Sequence, residues 1–443
     1  MIARTRNIAM QALASTKADQ VEAIVIASPS ALTRFAGNII HQNVAEHDLR
    51  LTLRVAIGKR VACASSNDTS KAGIRRLAGR TREIAESLAE TADFPGLPSE
   101  RPIAQVESFS PETASLTPAR RAAIAAEIIE PSRQAGAGAS GIVSNRYTVL
   151  TVMNTNGVHA TMRSSEFRAN AVVSKEGGFG YAGGISWSSR RLDIARIGRV
   201  ALGKCLDSAG SAPLQPGRYA VILEPQAVAE LLAYTAYMAF GAQGFIEGRS
   251  FMSGRIGERQ MHESVSIWDD GLDEEGMPVP FDMEGVPKQR VSIIENGIAR
   301  GVVYDTLHAA KSGTVSTGHS LGPSYARGPL PTNLFMARGA SSIDEMVAGT
   351  QRGLLITRFH YTNVADPANA MLTGLTRDGT FLVEDGRVVG PVRNMRFTES
   401  MTRAFSRVEA LSAKRSLEPT MLGAILVPAV KISAFTFTGA TDF

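Results

Sequence analysis

The stretch 227–240, AVAELLAYTAYMAF, constrains the fold more than any other part of this sequence, because it is apolar on almost every side. Pro225 stands where a first-turn proline belongs and Gly241 where a C-terminal glycine belongs, so the stretch predicts one helix of roughly four turns. A helix without a polar face cannot lie on a surface and has to be wrapped. A bilayer is not the wrapping: a span takes about 20 uninterrupted apolar residues, and this region is broken by Glu230, Gly241 and Gln243. The rest of the chain must build a core around it.

There is enough chain to do so. The 443 residues are 44% hydrophobic and 20% charged, both ordinary for a globular protein, and the length points to about two or three domains. Residues 1–20 interrupt their apolar positions with Arg4, Arg6, Lys17 and Asp19, which reads as an amphipathic helix rather than a signal or anchor, so a cytoplasmic protein without membrane contact is expected. Cys63 and Cys205 are too few for a disulfide framework or a Cys-rich metal site and read as thiols. The net charge of +5 is scattered. Its densest run, Arg75, Arg76, Arg80 and Arg82, interleaves with Ile74, Leu77 and Ile84 as a solvated helix face. Nucleic-acid binding needs a contiguous basic surface and a reader motif, and the sequence offers neither.

The predicted fold class is α+β. Residues 1–215 read as an N-terminal α+β domain of antiparallel sheets covered by helices, with subregions 1–98 and 112–215 joined by a polar linker. Residues 216–443 read as a C-terminal β-rich domain holding the one buried apolar helix. In the first subregion a helix gives way to a strand over 21–27, then an alternating pair at 48–55 and 60–64 around Gly58, then a helix over 70–91 capped by Asn67-Asp68. In the second, Thr117-Pro118 opens a helix to about Arg133, and strands at 147–152 and 159–173 flank the Asn156-Gly157 step. Gly177, Gly178, Gly180, Gly183 and Gly184 lack the spacing and the Lys-Ser/Thr of a phosphate loop and read as a flexible turn. In the C-terminal half, Glu295-Asn296-Gly297 and Glu384-Asp385-Gly386 each end an apolar strand and begin another. Both predict type I′ hairpins, because Asn, Asp and Gly tolerate the positive φ required there.

The apolar helix, with Ala233, Tyr234 and Met238 on it, is followed by Gly254-Arg255-Ile256-Gly257-Glu258, then by Trp268-Asp269-Asp270-Gly271 and Phe281-Asp282-Met283-Glu284-Gly285. Ile294 to Gly297, Tyr304-Asp305-Thr306, Ser316-Thr317-Gly318 and Pro331-Thr332-Asn333-Leu334 continue the series, and Ser65-Ser66-Asn67-Asp68 precedes it. In order and spacing this series resembles the TldD/PmbA metallopeptidase family over nearly the whole chain. The resemblance implies that the active subunit carries His-Glu-x-x-x-His on the buried helix, with a later cysteine as a further metal ligand and the glutamate activating metal-bound water. Such chemistry needs imidazole or thiolate lone pairs and a general base.

At the matching positions this chain has Ala233, Tyr234 and Met238, and no cysteine follows Cys205. A methyl group cannot coordinate, a thioether is a poor zinc ligand and a neutral phenol a poor base. The chain therefore resembles the family's other subunit, the TldE/PmbA-like type without the metal motif. The resemblance implies a TldD-like metal-bearing partner in a heterodimer, zinc or iron only in that partner, and unfolded or leader-type peptides as substrate. Tyr234, Tyr237 and Met238 are candidates to line a peptide cleft. Gly254, Gly257, Glu258, Asp269, Asp270, Asp282, Glu284, Thr332 and Asn333 are the other family-motif positions.

Competing readings stay open. His262-Glu263 starts like a zinc motif, but Ser266 and Ile267 follow where a second histidine would stand. His41, His47, His308, His319 and His360 read as polar residues of loops or edge strands. Asp269-Asp270, Asp282 and Glu284 could form a carboxylate pair or a magnesium site, but each lies near turn-forming Gly or Pro and reads more simply as turn capping. Three other functions fit the sequence: a homodimer that binds peptides or a small ligand without hydrolysis, a peptidase with a divergent metal site, and an effector of a nucleic-acid enzyme such as gyrase.

Overall fold

The computed structural model describes residues 1–323 and 325–441. Helix α1 (Ile2–Ser15) turns Thr5, Ile8, Ala9 and Ala12 inward and leads into β1 (Gln20–Ala36), β2 (Ile39–Ile57) and β3 (Arg60–Ser66). Three helices follow, α2 (Lys71–Ser87), α3 (Pro111–Ala114) and α4 (Pro118–Gln134), then β4 (Gly138–Asn154), β5 (His159–Lys175), β6 (Gly178–Ser186) and α5 (Ile194–Asp207). The six strands make one antiparallel sheet in the order β3-β2-β1-β4-β5-β6.

Strand alternation decides what each face meets. Val21, Ala23 and Val25 of β1 pack under Ile8, Ala12, Ile74 and Leu77 of α1 and α2. Farther along the same face, α4 and α5 cover Phe167, Ala169, Ala171 and Val173. On the opposite face, Ile24, Leu150, Val152 and Ala160 pack against Phe281 from the second half of the chain. The strands are longer than the sequence suggested because their outer residues alternate less clearly while their backbones still pair.

Two local expectations need correcting. The α2 cap is Ser70, whose hydroxyl accepts the Gly73 N–H at 3.0 Å, while Asp68 accepts the Ser70 N–H at 3.1 Å one step earlier. The glycines from Gly178 onward are not a flexible turn but strand β6 pressed against α5. A Cβ at Gly180 would lie 2.1 Å from the Ala201 carbonyl oxygen, and one at Gly178 2.3 Å from that of Cys205.

The second half contributes β7 (Gly217–Leu223), α6 (Pro225–Ala239), α7 (Ala242–Ile246), β8 (Ile267–Asp269), β9 (Val291–Glu295) and β10 (Ile298–Ala299). Then come α8 (Thr306–Lys311), β11 (Leu334–Met336), α9 (Ile343–Ala348), β12 (Arg352–Asp366), β13 (Met371–Glu384) and β14 (Arg387–Pro391). Strand β15 (Met395–Ser400), α10 (Met401–Phe405), β16 (Val408–Thr420) and β17 (Gly423–Ala440) complete it. β7 pairs in parallel with β12 and antiparallel with β17, and β12-β13-β15-β17 are antiparallel neighbours, so these five strands close a ring. Asn296 and Gly297 (φ 48° and 77°) and Asp385 and Gly386 (φ 48° and 76°) take the left-handed conformation expected at the two hairpins.

Helix α6 shares one core with Leu223, Ile356, Phe397, Val430 and Phe435 of that ring. Gly241 follows the end of the helix, as expected, but with a φ of −95°, outside the left-handed region. The glycine is needed for space, since a Cβ there would lie 2.1 Å from the Pro329 carbonyl oxygen.

Candidate functional site

Between its first residue and Ala239, α6 leaves only Gln226, Glu230, Tyr234 and Tyr237 less than fully buried. Their spacing puts them on one narrow stripe, the only part of the helix the core does not cover. Ala233 is 1% exposed and Met238 7%, both in the core, whereas Tyr234 and Tyr237 stand on the stripe. The Arg327 guanidinium lies 4.4 Å from the Tyr237 ring centre, a cation–π contact, and Tyr325 is close enough that Tyr237 acts on its phenol. Burial, then Glu230 and Tyr237, push the Tyr234 phenol above its ordinary value, so it is neutral and no base. Burial likewise raises the Glu230 carboxyl, with Arg358 acting against it.

Three of the family-motif positions gather elsewhere, around a buried charge. Asp269, at the end of β8, accepts hydrogen bonds from His319 Nε2 at 2.8 Å and the Asn333 N–H at 2.7 Å. Lys288 Nζ lies 3.6 Å from it and donates to Thr332 Oγ1 at 3.0 Å. Thr317 Oγ1 is 2.9 Å from His319 Nδ1, so a Thr-His-Asp chain exists, but His319 is 1% exposed and Asp269 0%, and no substrate can reach them. His319 lies in a loop, as read from the sequence, but is buried there, whereas His308 belongs to no loop or edge strand and is buried on α8 beside Asp305. Burial alone would raise the Asp269 carboxyl, but Lys288 and His319 hold it well below the usual carboxylate range.

Asp282 and Glu284 belong to a second buried group. Asp282 Oδ1 accepts the N–H groups of Glu284 and Val286 at 2.9 and 3.0 Å, and Oδ2 that of Ser320 at 2.8 Å, which is turn capping. Glu284 Oε1 accepts from Arg54 Nη1 at 2.8 Å, and Arg54 Nη2 donates to Glu22 Oε2 at 2.9 Å, tying β1 and β2 to this loop. Asp270 Oδ1 caps the Leu272 N–H at 3.0 Å. Gly254, Gly257 and Glu258 lie apart from both groups, with Glu258 exposed and paired to Arg255 at 2.8 Å.

These charges fix a pH dependence. Asp269, depressed in the fold, contributes stability that is present above the ordinary carboxylate pKa and lost as pH falls through its folded value. Burial pushes Asp282 up to about 8 and Glu22 and Glu418 up to about 7, so the fold keeps protons that the unfolded chain has already released. That contribution is complete below the unfolded value and falls as pH rises through 7 to 8. The unfolding temperature is therefore expected to peak in mild acid and to drop by pH 8.5. Glu418→Gln should flatten the drop, and differential scanning calorimetry from pH 4 to 9 reads both.

A hydrolytic metal does not fit this chain. Helix α6 carries neither histidine nor cysteine, and among the described residues no three His, Cys, Asp or Glu side chains are placed to hold an ion. Fold and site thus define a two-sheet α+β protein whose long, almost wholly buried helix presents a methyl, a phenol and a thioether at Ala233, Tyr234 and Met238. A profile of the PmbA/TldA metallopeptidase C-terminal domain matches residues 216–439, and one of PmbA/TldA metallopeptidase domain 1 matches residues 21–85; the chain belongs to this family, the TldD/PmbA family of the sequence comparison above.

The fold is that of TldE from Thermococcus kodakarensis, with a TM-score of 0.87 at 20% identity over 98% of this chain and 99% of that one. A Thermotoga maritima chain described as a candidate modulator of a DNA gyrase superposes with a TM-score of 0.83 at 17% identity, covering 95% of this chain and 96% of that one. An uncharacterized protein of Methanocaldococcus jannaschii is 31% identical over 214 residues, 46% of this chain and 49% of that one. A metalloprotease TldD homolog of Haemophilus influenzae is 28% identical over 172 residues, 38% of this chain and 35% of that one. The chain thus spans about a third to a half of the length of these curated relatives.

Proposed function

We propose that this protein is the non-catalytic subunit of a two-subunit intracellular peptidase, joined to a metal-bearing TldD-like chain that performs hydrolysis. One observation carries the proposal: the long, almost wholly buried helix α6 of a chain from a metallopeptidase family has a methyl at Ala233, a phenol at Tyr234 and a thioether at Met238 and carries neither histidine nor cysteine. A framework kept without its ion is suited to shaping a site that another chain completes. The substrates are unfolded or small leader-type peptides, whose extended backbones suit a strand-rich partner. A cytoplasmic setting agrees with Cys63 and Cys205, both free thiols.

The test is co-expression with the metal-motif paralogue of the same host, followed by cleavage of an unfolded protein such as reduced casein. Cleavage is expected from the mixture and none from this chain alone, with or without added zinc or iron. Hydrolysis by the isolated chain, or a mixture no more active than the paralogue by itself, defeats the proposal. Failure to co-purify with any such paralogue would favour the homodimeric binding protein instead.

A further inference from the structure

A cavity of about 670 Å³ opens where β6 and α5 of the first sheet meet the start of α6, strand β12 and strand β16. This is within the size range of small-ligand sites. The strand period of two puts Tyr181 and Gly183 on one face of β6 and Ser416 and Glu418 on one face of β16, and all four line the cavity. Gln226, the first member of the open α6 stripe, lines it too, so the cavity sits at one end of the surface that carries Tyr234 and Tyr237.

Two polar side chains of this wall are left largely unsatisfied by the protein. Tyr181 is 8% exposed, and Arg358, itself bonded to Asp378 at 2.7 Å, holds its guanidinium 4.3 Å from the ring centre and fixes the ring. The Tyr181 hydroxyl makes no hydrogen bond among the described residues, and Gly183 leaves it room, since a Cβ there would lie 2.9 Å from the oxygen. Glu418 is 7% exposed and forms no ion pair among the described residues; its one hydrogen-bonding neighbour is the Ser416 hydroxyl. Neither the Tyr181 oxygen nor the Glu418 oxygens are among the enclosed, unpartnered polar atoms of the chain, so they are open to the cavity that both residues line.

The charge around the cavity selects what these groups meet. Lys204 of α5 is paired with Glu224, Arg415 with Glu275, and Glu345 is used in capping Ser342. Arg196 and Lys414 are exposed at the mouth, where water and salt screen them. Among the described residues Glu418 is thus the one acid of the wall without a committed partner, and burial pushes it up to about 7 against the pull of Ser416, Lys204 and Arg196. A carboxyl so placed either keeps a proton or takes a cation. A ligand carboxylate would meet it with like charge. A primary ammonium brings the opposite charge and three N–H donors, for which Glu418, Tyr181 and Ser416 supply acceptors.

We infer that this cavity is a site for a primary ammonium group, with the Glu418 carboxylate as its countercharge and the Tyr181 and Ser416 hydroxyls as further acceptors. On the function proposed above, the ammonium is the N-terminal end of a peptide that continues along the α6 stripe past Gln226. A small free amine offers the same chemistry, and the test separates the two.

The intact chain, without any partner, is titrated calorimetrically with trialanine amide and with its N-acetylated form, which differ only in the ammonium. The free amine should bind about tenfold more tightly, a difference of about 1.4 kcal/mol. Glu418→Gln, which keeps the shape and removes the charge, should abolish that preference. Tyr181→Phe should weaken binding of the free amine several-fold while leaving the unfolding temperature unchanged, because the hydroxyl it removes has no protein partner. Propylamine displacing the peptide at comparable concentration assigns the cavity to small amines; displacement only by peptides with a free amino end assigns it to a peptide terminus. Equal binding of the free and acetylated forms, no binding of either, or folded variants that bind like the parent each overturn the inference. Because no hydrolysis is measured and no second chain is present, these results are independent of whether the two-subunit reading holds.

Discussion

Asp269→Ala is expected to cost about 3–5 kcal/mol, enough to remove a third or more of the stability of an ordinary protein. The carboxylate is fully buried and holds three groups together, the His319 ring, the Asn333 amide and the Lys288 ammonium. Removing it leaves Lys288, whose side chain is 3% exposed, with the Thr332 hydroxyl but no opposite charge. An ammonium in that position must either lose its proton or draw water into the space between β8 and β11. Denaturant unfolding of the variant measures the loss, and Asp269→Ala/Lys288→Met should recover about 2 kcal/mol or more of it, because the stranded charge is gone. A single-variant loss below about 1 kcal/mol would show that the cluster does not hold the second sheet.

Arg54→Met should be nearly as damaging, and more so at alkaline pH. Arg54 stands between Glu22 and Glu284, both almost fully buried, so its loss leaves two carboxyls facing each other. Glu22 is already pushed up to about 7 by burial with the guanidinium in place, and without it the folded value rises further. A raised folded value means stability is lost as pH climbs toward it, so the penalty, about 3–5 kcal/mol near pH 8, should shrink near pH 5 where Glu22 holds its proton. Glu284 Oε2 also accepts the Thr306 N–H at 3.1 Å, so hydrogen exchange should quicken at the start of α8 as well as in β2. Equal destabilisation at both pH values would refute the electrostatic account.

Much of the local structure was legible because it rests on neighbours in the chain. The Asn296-Gly297 and Asp385-Gly386 turns follow from which residues tolerate positive φ, and the Thr117-Pro118 helix start from which side chains can accept an N–H three residues on, as Thr117 does from Arg120 at 3.2 Å. The misreadings share another cause. Gly178, Gly180 and Gly241 have the composition of turns, but their lack of a Cβ serves close contact with α5 or with Pro329, segments far away in sequence. Arg54 lies between Leu53 and Val55 like any outward residue of an alternating strand. Only the loop at 281–287, arriving from the other half of the chain, turns that outer face into an interior.

The candidate site divides along the same line. Ala233, Tyr234 and Met238 could be read as unable to hold a metal directly from side-chain chemistry, which no fold can alter. That Tyr234 and Tyr237 reach the open stripe while Met238 does not depends on how the strands of the second sheet pack against one helix.

The sequence by itself determined that an almost wholly apolar helix must be wrapped, where most strands and helices begin, and that the wrapped helix carries no histidine or cysteine to hold a metal. The tertiary structure decided which charges are buried and with whom, and where the helix is left uncovered. Propensity, capping and ligand chemistry act over a few bonds or within one side chain, whereas burial of Asp269 or Arg54 is set by surfaces brought together from positions 32 to 230 residues apart.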